Sequence, residues 1–401
     1  MLKRHYDKVV IGCCLLFVFV NVGLASTAFS VHQPFIVAME GIGDTGGSLI
    51  LSVRTLVSLL AMTVVDRYYR ALDVRRGVSL ACLFTCGGFM AYSAASSLPA
   101  FFGGAVLLGL GYGLGGMVAM TYLANRWFSS GVGHVVGIAS MGSGIASIVM
   151  PLVIVRVIEA SSLSAAFMVE GALSAGIGIC VFAILRNRPS DMGLEPYERS
   201  SPGKKTPRRA SANQAAMGRG WRIATLAAMV GVGVFSCCGI TYLSVLATSS
   251  GFDALFAATL VSVAGISLTV CKFLAGELFD RLGASRGSAI MFALGFTGFA
   301  ACCFAGTGNM AVMVCGAVLV GAGLSLGSVG VSVWSIDLSD AANRARQIKN
   351  FQVAYSLGGF IANTLPGIVK DLVGTYVVSY AAACAVIAFC AFVIVSVYRR
   401  R

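Results

Sequence analysis

Three ionisable side chains interrupt long apolar runs of this sequence: Arg54, Glu170 and Lys272. A guanidinium stays charged and can hold a carboxylate through two parallel hydrogen bonds, whereas an ammonium supplies a point charge. A carboxyl in apolar surroundings can carry a proton. Ionisable groups are costly in segments of this kind and mark functional sites. The pattern predicts anion binding by the two cations and proton coupling at Glu170.

The depth of each cation leaves a second interpretation open. Arg54 lies twelve residues before Asp66, about 18 Å along a helix. Lys272 lies eight residues before Asp280, about 12 Å by the same rise. A lysine side chain reaches roughly 6 Å, so snorkelling to the boundary covers only part of that depth. The alternatives are a contact of Arg54 with helix-end carbonyls, and snorkelling of Lys272 or a structural pair with Glu277.

The elements that position these residues are membrane-spanning helices. The chain has 401 residues, of which 57% are hydrophobic and 11% charged, and its mean hydropathy is +0.87. Soluble proteins carry about 25% charged residues. Apolar runs of about 20 residues span a bilayer as helices, and these runs do not alternate as barrel strands do. We predict an all-α integral membrane protein with twelve spans, at 9–31, 46–65, 77–97, 99–124, 134–157, 164–185, 222–247, 254–279, 287–306, 309–336, 347–369 and 375–397.

The charge distribution sets the predicted orientation. With both termini in the cytoplasm, all but four of the 29 Lys and Arg residues fall in cytoplasmic segments; the four are Arg54, Arg156, Lys272 and Lys370. This is the positive-inside pattern of a multi-pass protein of the cytoplasmic (inner) membrane. The net charge of +13 is then explained by the basic cytoplasmic segments that orient the protein in the membrane, and no nucleic-acid partner is expected. The 13 cysteines lie inside the predicted spans, as buried apolar residues rather than disulfides or metal ligands.

One polar segment divides the chain into related halves. The stretch RNRPSDMGLEPYERSSPGKKTPRRASANQAAMGRGWR begins at residue 186 and is typical of a flexible cytoplasmic linker. We therefore predict a six-helix bundle over 1–185, a linker over 186–220 and a second six-helix bundle over 221–401. DRYYRALDVRRG at 66–77 and DRLGASRG at 280–287 occupy equivalent places in the halves. Such internal repeats are typical of transporters whose halves rock about a central site.

These loops resemble the major facilitator superfamily. GELFDRLGASRG at 276–287 is similar to its signature loop, whereas the first copy has Met62 and Tyr69 at the glycine positions. GLGYGLGGMVAMTYLANRWF, GIASMGSGIASIVMPLV and RNRPSDMGLEPYE resemble the bacterial oxalate/formate and monocarboxylate transporters. That resemblance implies two pseudo-symmetric six-helix bundles and a carboxylate-binding role for Lys272. It also implies a peripheral sixth helix, which favours a structural role for Glu170. Gly358 stands where oxalate exchangers carry a second lysine, which argues against a two-cation dicarboxylate site.

Weaker candidates follow from polar residues in spans that line a cavity in this fold. For substrate binding we add Asn21, Tyr242, Gln352 and Tyr355, although each residue type more often joins helices. His32 and His134 fall near span ends, where we expect interfacial positions without a proton-relay role. We interpret five charged residues as a cytoplasmic gate: Asp66, Arg67, Glu277, Asp280 and Arg281.

The favoured function is a secondary active transporter that moves a small organic anion, a monocarboxylate, and is driven by a proton or anion gradient. The alternative is an efflux carrier of the same fold for hydrophobic or drug-like compounds. A membrane enzyme or sensor has little support, because no His, Asp or Ser cluster suggests catalysis. We expect no cofactor and no metal, and a monomer in the lipid bilayer.

Overall fold

The computed structural model describes residues 5–129, 132–198, 219–338 and 344–400. Within these ranges the chain is helical, and the only β-structure is an isolated bridge between Phe128 and Tyr197. Nine helices in the described part are long and apolar enough to cross a membrane. The prediction of an all-helical membrane protein is therefore confirmed.

The chain divides into two compact units. The first unit comprises Met1–Gly43 and Ile50–Lys205, and the second comprises Asp44–Leu49 and Thr206–Arg401. The predicted linker falls partly outside the described residues, at 199–218. The predicted domain boundaries stay a prediction.

The first unit contains one irregular span and five further helices. The irregular span begins with α1, Tyr6–Val18, continues as a π-helical segment, Phe19–Thr27, and a 3₁₀ turn, Ala28–Val31, and ends with α2, Gln33–Val37. A π-helical segment within a span is rare and often occurs at a functional site. The remaining helices of this unit are α3, Gly43–Ser93; α4, Leu98–Gly115; α5, Met117–Trp127; α6, Val132–Ala160; and α7, Leu163–Ile184.

The second unit contains seven helices, with the first turn of α3 assigned to it. They are α8, Arg219–Thr241; α9, Leu243–Ser249; α10, Ala254–Cys302; α11, Met310–Leu324; α12, Val329–Asp337; α13, Arg344–Val373; and α14, Val377–Arg400. A 3₁₀ turn, Ser325–Gly327, separates α11 from α12.

Two helices bend at the repeated loops. The 51 residues of α3 and the 49 residues of α10 would each extend for about 75 Å, more than twice a hydrocarbon core of about 30 Å. In α10 the bend is at Gly283, where φ is 80°, and in α3 it is at Asp73, where φ is 60°. Gly283 is the second glycine of the signature loop, and it adopts this left-handed conformation without a Cβ clash. Each helix is long enough for two crossings; the total of twelve stays a prediction.

Helix starts follow local capping chemistry. Ser162 accepts a hydrogen bond from the Ala165 amide at the start of α7, and Asp253 accepts one from Phe256 at the start of α10. Asn309 does the same for α11. Such caps satisfy amides that the helix itself leaves without partners. The break predicted at SSLP, 96–99, is present, with Pro99 in the first turn of α4.

Candidate functional site

Arg54 lies inside the first unit, on α3, and is 6% exposed. Its Nη1 donates a hydrogen bond to the carbonyl of Ala25, which belongs to the π-helical segment. Its Cζ lies 5.9 Å from the centre of the Phe29 ring. The position of the guanidinium is therefore set by a hydrogen bond to a backbone carbonyl and by a nearby aromatic ring.

Glu170 is in close contact with a histidine that sequence analysis did not connect to it. His32 Nε2 lies 2.9 Å from Glu170 Oε2, and neither side chain is exposed. The His32 ring stacks on Phe167 with centres 4.6 Å apart and planes 14° apart, and its Nδ1 lies 3.3 Å from the Phe29 carbonyl. His32 directly follows the apolar stretch Tyr6–Val31, as expected for a residue near a span end, and its ring is fully enclosed by protein. The His134 side chain lies outside the described residues.

Asn21 is engaged within the first unit. Its Nδ2 donates to the Gly115 carbonyl at 3.2 Å, and its Oδ1 accepts from the Thr85 hydroxyl at 2.6 Å. The Asn21 side chain thereby gives a hydrogen-bond partner to the Gly115 carbonyl at the last residue of α4. Gly116, the next residue, has a non-helical backbone conformation. This is the arrangement of an interhelical bridge, so Asn21 is left out of the substrate-binding set proposed below.

Lys272 lies in the second unit, on α10. Its side chain is half-buried. Among the described residues, none forms a hydrogen bond or an ion pair with its ammonium, and Glu277 instead pairs with Arg281. The predicted alternative of a structural pair between Lys272 and Glu277 is therefore not what the structure contains. An ammonium in an apolar segment is costly without a partner, which makes Lys272 the strongest ligand-binding candidate in this unit.

The three other candidates of the second unit differ in their surroundings. Tyr242 is fully buried, donates to the Asn363 carbonyl at 2.7 Å and lies 2.8 Å from the Ser48 hydroxyl. Tyr355 is half-buried, and its hydroxyl would lie 2.9 Å from a Cβ added to Gly327, at the turn between α11 and α12. Gln352 is exposed. No described contact joins any of the three to Lys272.

Gly358 is a close packing point between α8 and α13. A Cβ added there would overlap the carbonyl oxygen of Val230, and the neighbouring Val234 amide would be 2.9 Å away. The residue is buried. The lysine of oxalate exchangers therefore has no room at this position unless the two helices separate.

The predicted gate residues are on the surface of their units. Asp66, Arg67 and Asp280 are exposed. Arg281 donates to Glu277 one helical turn earlier, at 2.5 Å, with the two side chains 76% and 57% exposed. This is an exposed pair within one helix, and such pairs contribute about 0.3–0.5 kcal/mol.

The described residues contain no group of three or more His, Cys, Asp or Glu side chains that could hold a metal ion. None of the 13 cysteines forms a disulfide bond.

Together, these features define a multi-pass helical membrane protein with the fold of a transporter. The Major Facilitator Superfamily model matches residues 14–363. The chain belongs to the major facilitator superfamily. A search of curated proteins finds no significant match.

Solved structures share the fold at low sequence identity. The nucleoside transporter NupG matches with a TM-score of 0.74 and 14% identity, over 96% of this chain and 98% of that chain. A POT family transporter in complex with a thioalcohol-conjugated peptide gives 0.73 and 13%, over 99% and 96%. A D-xylose-proton symporter gives 0.68 and 15%, over 96% of each chain. These likenesses concern the fold and leave the substrate open.

Proposed function

We propose that this protein is a secondary active transporter that moves a small organic anion, a monocarboxylate, across the cytoplasmic membrane by alternating access. Both termini lie in the cytoplasm, the protein acts as a monomer in the lipid bilayer, and a proton or a counter-anion drives transport. The observation that carries this proposal is the Lys272 ammonium, which has no partner among the described residues although it lies within a span.

A carboxylate suits the two deep cations for physical reasons. Its charge would supply the partner that Lys272 lacks, and charge-assisted hydrogen bonds are stronger than neutral ones. Arg54 offers a second cationic group, a guanidinium, within the first unit. The overlap at Gly358 supports a monocarboxylate, because the second-unit lysine of oxalate exchangers has no room. Tyr355, Tyr242 and Gln352 are proposed as uncharged contributors.

The remaining assignments are parts of the same proposal. Glu170 is the proton-coupling candidate of the first unit. Asp66, Arg67, Glu277, Asp280 and Arg281 form the cytoplasmic gate, and their exposure within each unit leaves their charges free to form and break pairs during transport.

Uptake into proteoliposomes tests the function. Purified protein is reconstituted and offered labelled formate, lactate, pyruvate and oxalate, with and without a pH gradient. We expect uptake of a monocarboxylate above that of protein-free liposomes, with oxalate a poorer substrate. If no carboxylate enters and a hydrophobic dye is extruded instead, the efflux alternative replaces the proposal.

A further inference from the structure

The first unit encloses two ionisable side chains that touch one another. His32 Nε2 and Glu170 Oε2 lie 2.9 Å apart with no exposure of either side chain. These atoms are not aligned for a hydrogen bond, and Glu170 Oε1 has no hydrogen-bond partner among the described residues. A pair placed so deeply needs a reason, because burying two polar groups without completing their hydrogen bonds is unfavourable.

The surroundings of the pair are aromatic, with few other titratable groups. Phe167 stacks on His32 from α7, and Phe29 lies 5.2 Å from the His32 ring. From α3, the Tyr92 ring packs 5.3 Å from Phe167. The Tyr92 hydroxyl is buried without a partner among the described residues. From α4 comes Phe101, beside Tyr92, which carries no charge.

The Arg54 guanidinium packs near the same Phe29 ring that lies beside His32. The Arg54 Cζ lies 5.9 Å from the Phe29 ring centre. Together with the 5.2 Å between the Phe29 and His32 rings, this places the guanidinium carbon within about 11 Å of the imidazole centre, where unit charges still interact appreciably at protein dielectric constants. Arg54 and the pair are therefore close enough for electrostatic coupling.

The charge states of the pair explain how Arg54 affects the uptake of a second proton by His32 and Glu170. With one proton the pair is neutral overall, whether His32 and Glu170 are both ionised or both uncharged. A second proton adds a net positive charge, which the Arg54 guanidinium opposes. An anion bound at Arg54 neutralises the guanidinium charge and so removes its electrostatic repulsion of the second proton. If an anion and a proton bind together, the net charge of the buried cluster is unchanged, so the desolvation cost of a lone charge is avoided.

We propose that the His32–Glu170 pair is a proton-binding site that takes up its second proton together with the anion bound at Arg54. The inference rests on the proposed function, since it takes Arg54 as an anion-binding residue. Coulomb's law at about 11 Å and an effective dielectric constant of about 20 gives a coupling of roughly tenfold in affinity. Because coupling is reciprocal, protons strengthen anion binding by the same factor.

The test measures anion binding and proton uptake in one experiment on the purified full-length protein in detergent. Formate is added in weak buffer near pH 7; bound formate is counted with a radiolabel, and protons taken up are followed with a pH dye. We expect up to about half a proton for each formate bound by the wild type, the most that a tenfold coupling allows. Formate affinity should also rise roughly tenfold as the pH falls through the range in which the pair takes up its second proton.

Variants distinguish a proton site from a structural pair. The double variant His32→Gln/Glu170→Gln, which removes both titratable members, should bind formate without taking up protons and without the pH dependence of affinity. Arg156→Gln, which removes an exposed arginine of the same unit, should behave as the wild type. Should the double variant fail to fold, Glu170→Gln and His32→Gln, each of which keeps one titratable member, should shift the pH at which formate affinity changes.

Three outcomes overturn the inference. Formate binding by the wild type without proton uptake overturns it alone and leaves the proposed function intact. Proton uptake that persists unchanged in the folded double variant, or a pH dependence that neither single variant shifts, also overturns it alone, since another group must then accept the proton. Absence of binding of any carboxylate overturns the proposed function and this inference together.

Discussion

The His32 Nε2 atom lies 2.9 Å from Glu170 Oε2, and this contact joins the first span to α7 through residues that are both fully enclosed. The first span ends one turn after His32, and α7 begins seven residues before Glu170. The pair therefore connects the ends of two helices that are far apart in the sequence. Its loss has consequences for stability that are separate from any role in proton uptake.

Removing one member of the pair should destabilise the protein more than removing both. His32→Leu leaves Glu170 without its partner, and breaking a buried ion pair costs about 3–5 kcal/mol. The double variant His32→Leu/Glu170→Leu replaces both polar groups with apolar ones and should recover most of that loss. The melting temperatures of the single and the double variant in detergent measure the two losses of stability. Equal destabilisation by the single and double variants would contradict an energetic link between the two residues.

Gly358→Ala should destabilise the second unit. The added Cβ overlaps the Val230 carbonyl, and overpacking of a tight contact costs about 1–3 kcal/mol. Gly276→Ala is the matched control, because a Cβ there meets nothing within 4 Å. The two melting temperatures in detergent give the comparison. If Gly358→Ala is as stable as Gly276→Ala, the close approach of α8 and α13 is not as described.

Asn21→Ala should lower stability without changing substrate affinity. The substitution leaves the Thr85 hydroxyl and the Gly115 carbonyl without this partner, at a cost of about 1–3 kcal/mol. The exposed Asn125 provides a control, as Asn125→Ala should leave the melting temperature unchanged. Uptake kinetics of the folded Asn21→Ala protein should show the wild-type KM. A raised KM at wild-type stability would instead restore Asn21 to the binding set.

Residues 186–198 should be protected from solvent rather than flexible. The Tyr197 amide donates to the Trp127 carbonyl at 2.8 Å, and the Ser129 amide donates to the Tyr197 carbonyl at 3.1 Å. Asn187 Oδ1 accepts from the Arg75 amide at 2.8 Å. Hydrogen exchange should be slow at the amides of Ser129, Tyr197 and Arg75, and Asn187→Ala should accelerate exchange at Arg75. Exchange at the rate of an unstructured peptide would show that this segment is not docked.

Composition predicted much of the fold because the bilayer restricts the choices. Apolar runs of membrane length must be helices, and the repeated Asp-Arg loops predicted where α3 and α10 bend. The position of the first bend differs in detail. Tyr69 replaces a glycine there, and the residue with positive φ is Asp73 instead, at φ 60° and ψ 165°, a conformation that is strained for any residue other than glycine.

The candidate site was less accessible to sequence analysis, because partners in a helical bundle are distant in the chain. Nothing local to His32 indicates Glu170, although a buried carboxylate needs a partner and few ionisable residues were available to it. The docking of residues 186–198 was missed for a related reason. Their Pro, Gly and charge content is typical of linkers, whereas the backbone hydrogen bonds that hold them depend on residues elsewhere in the first unit.

The central claim, that Lys272 binds the substrate carboxylate, is tested most directly by formate and lactate uptake kinetics of Lys272→Gln in proteoliposomes, beside Arg156→Gln. A hydrogen bond to a charged group is worth about 1.5–3 kcal/mol, so we expect KM to rise roughly 10- to 100-fold in a protein with unchanged melting temperature, and wild-type kinetics for Arg156→Gln. A wild-type KM for Lys272→Gln would contradict the claim.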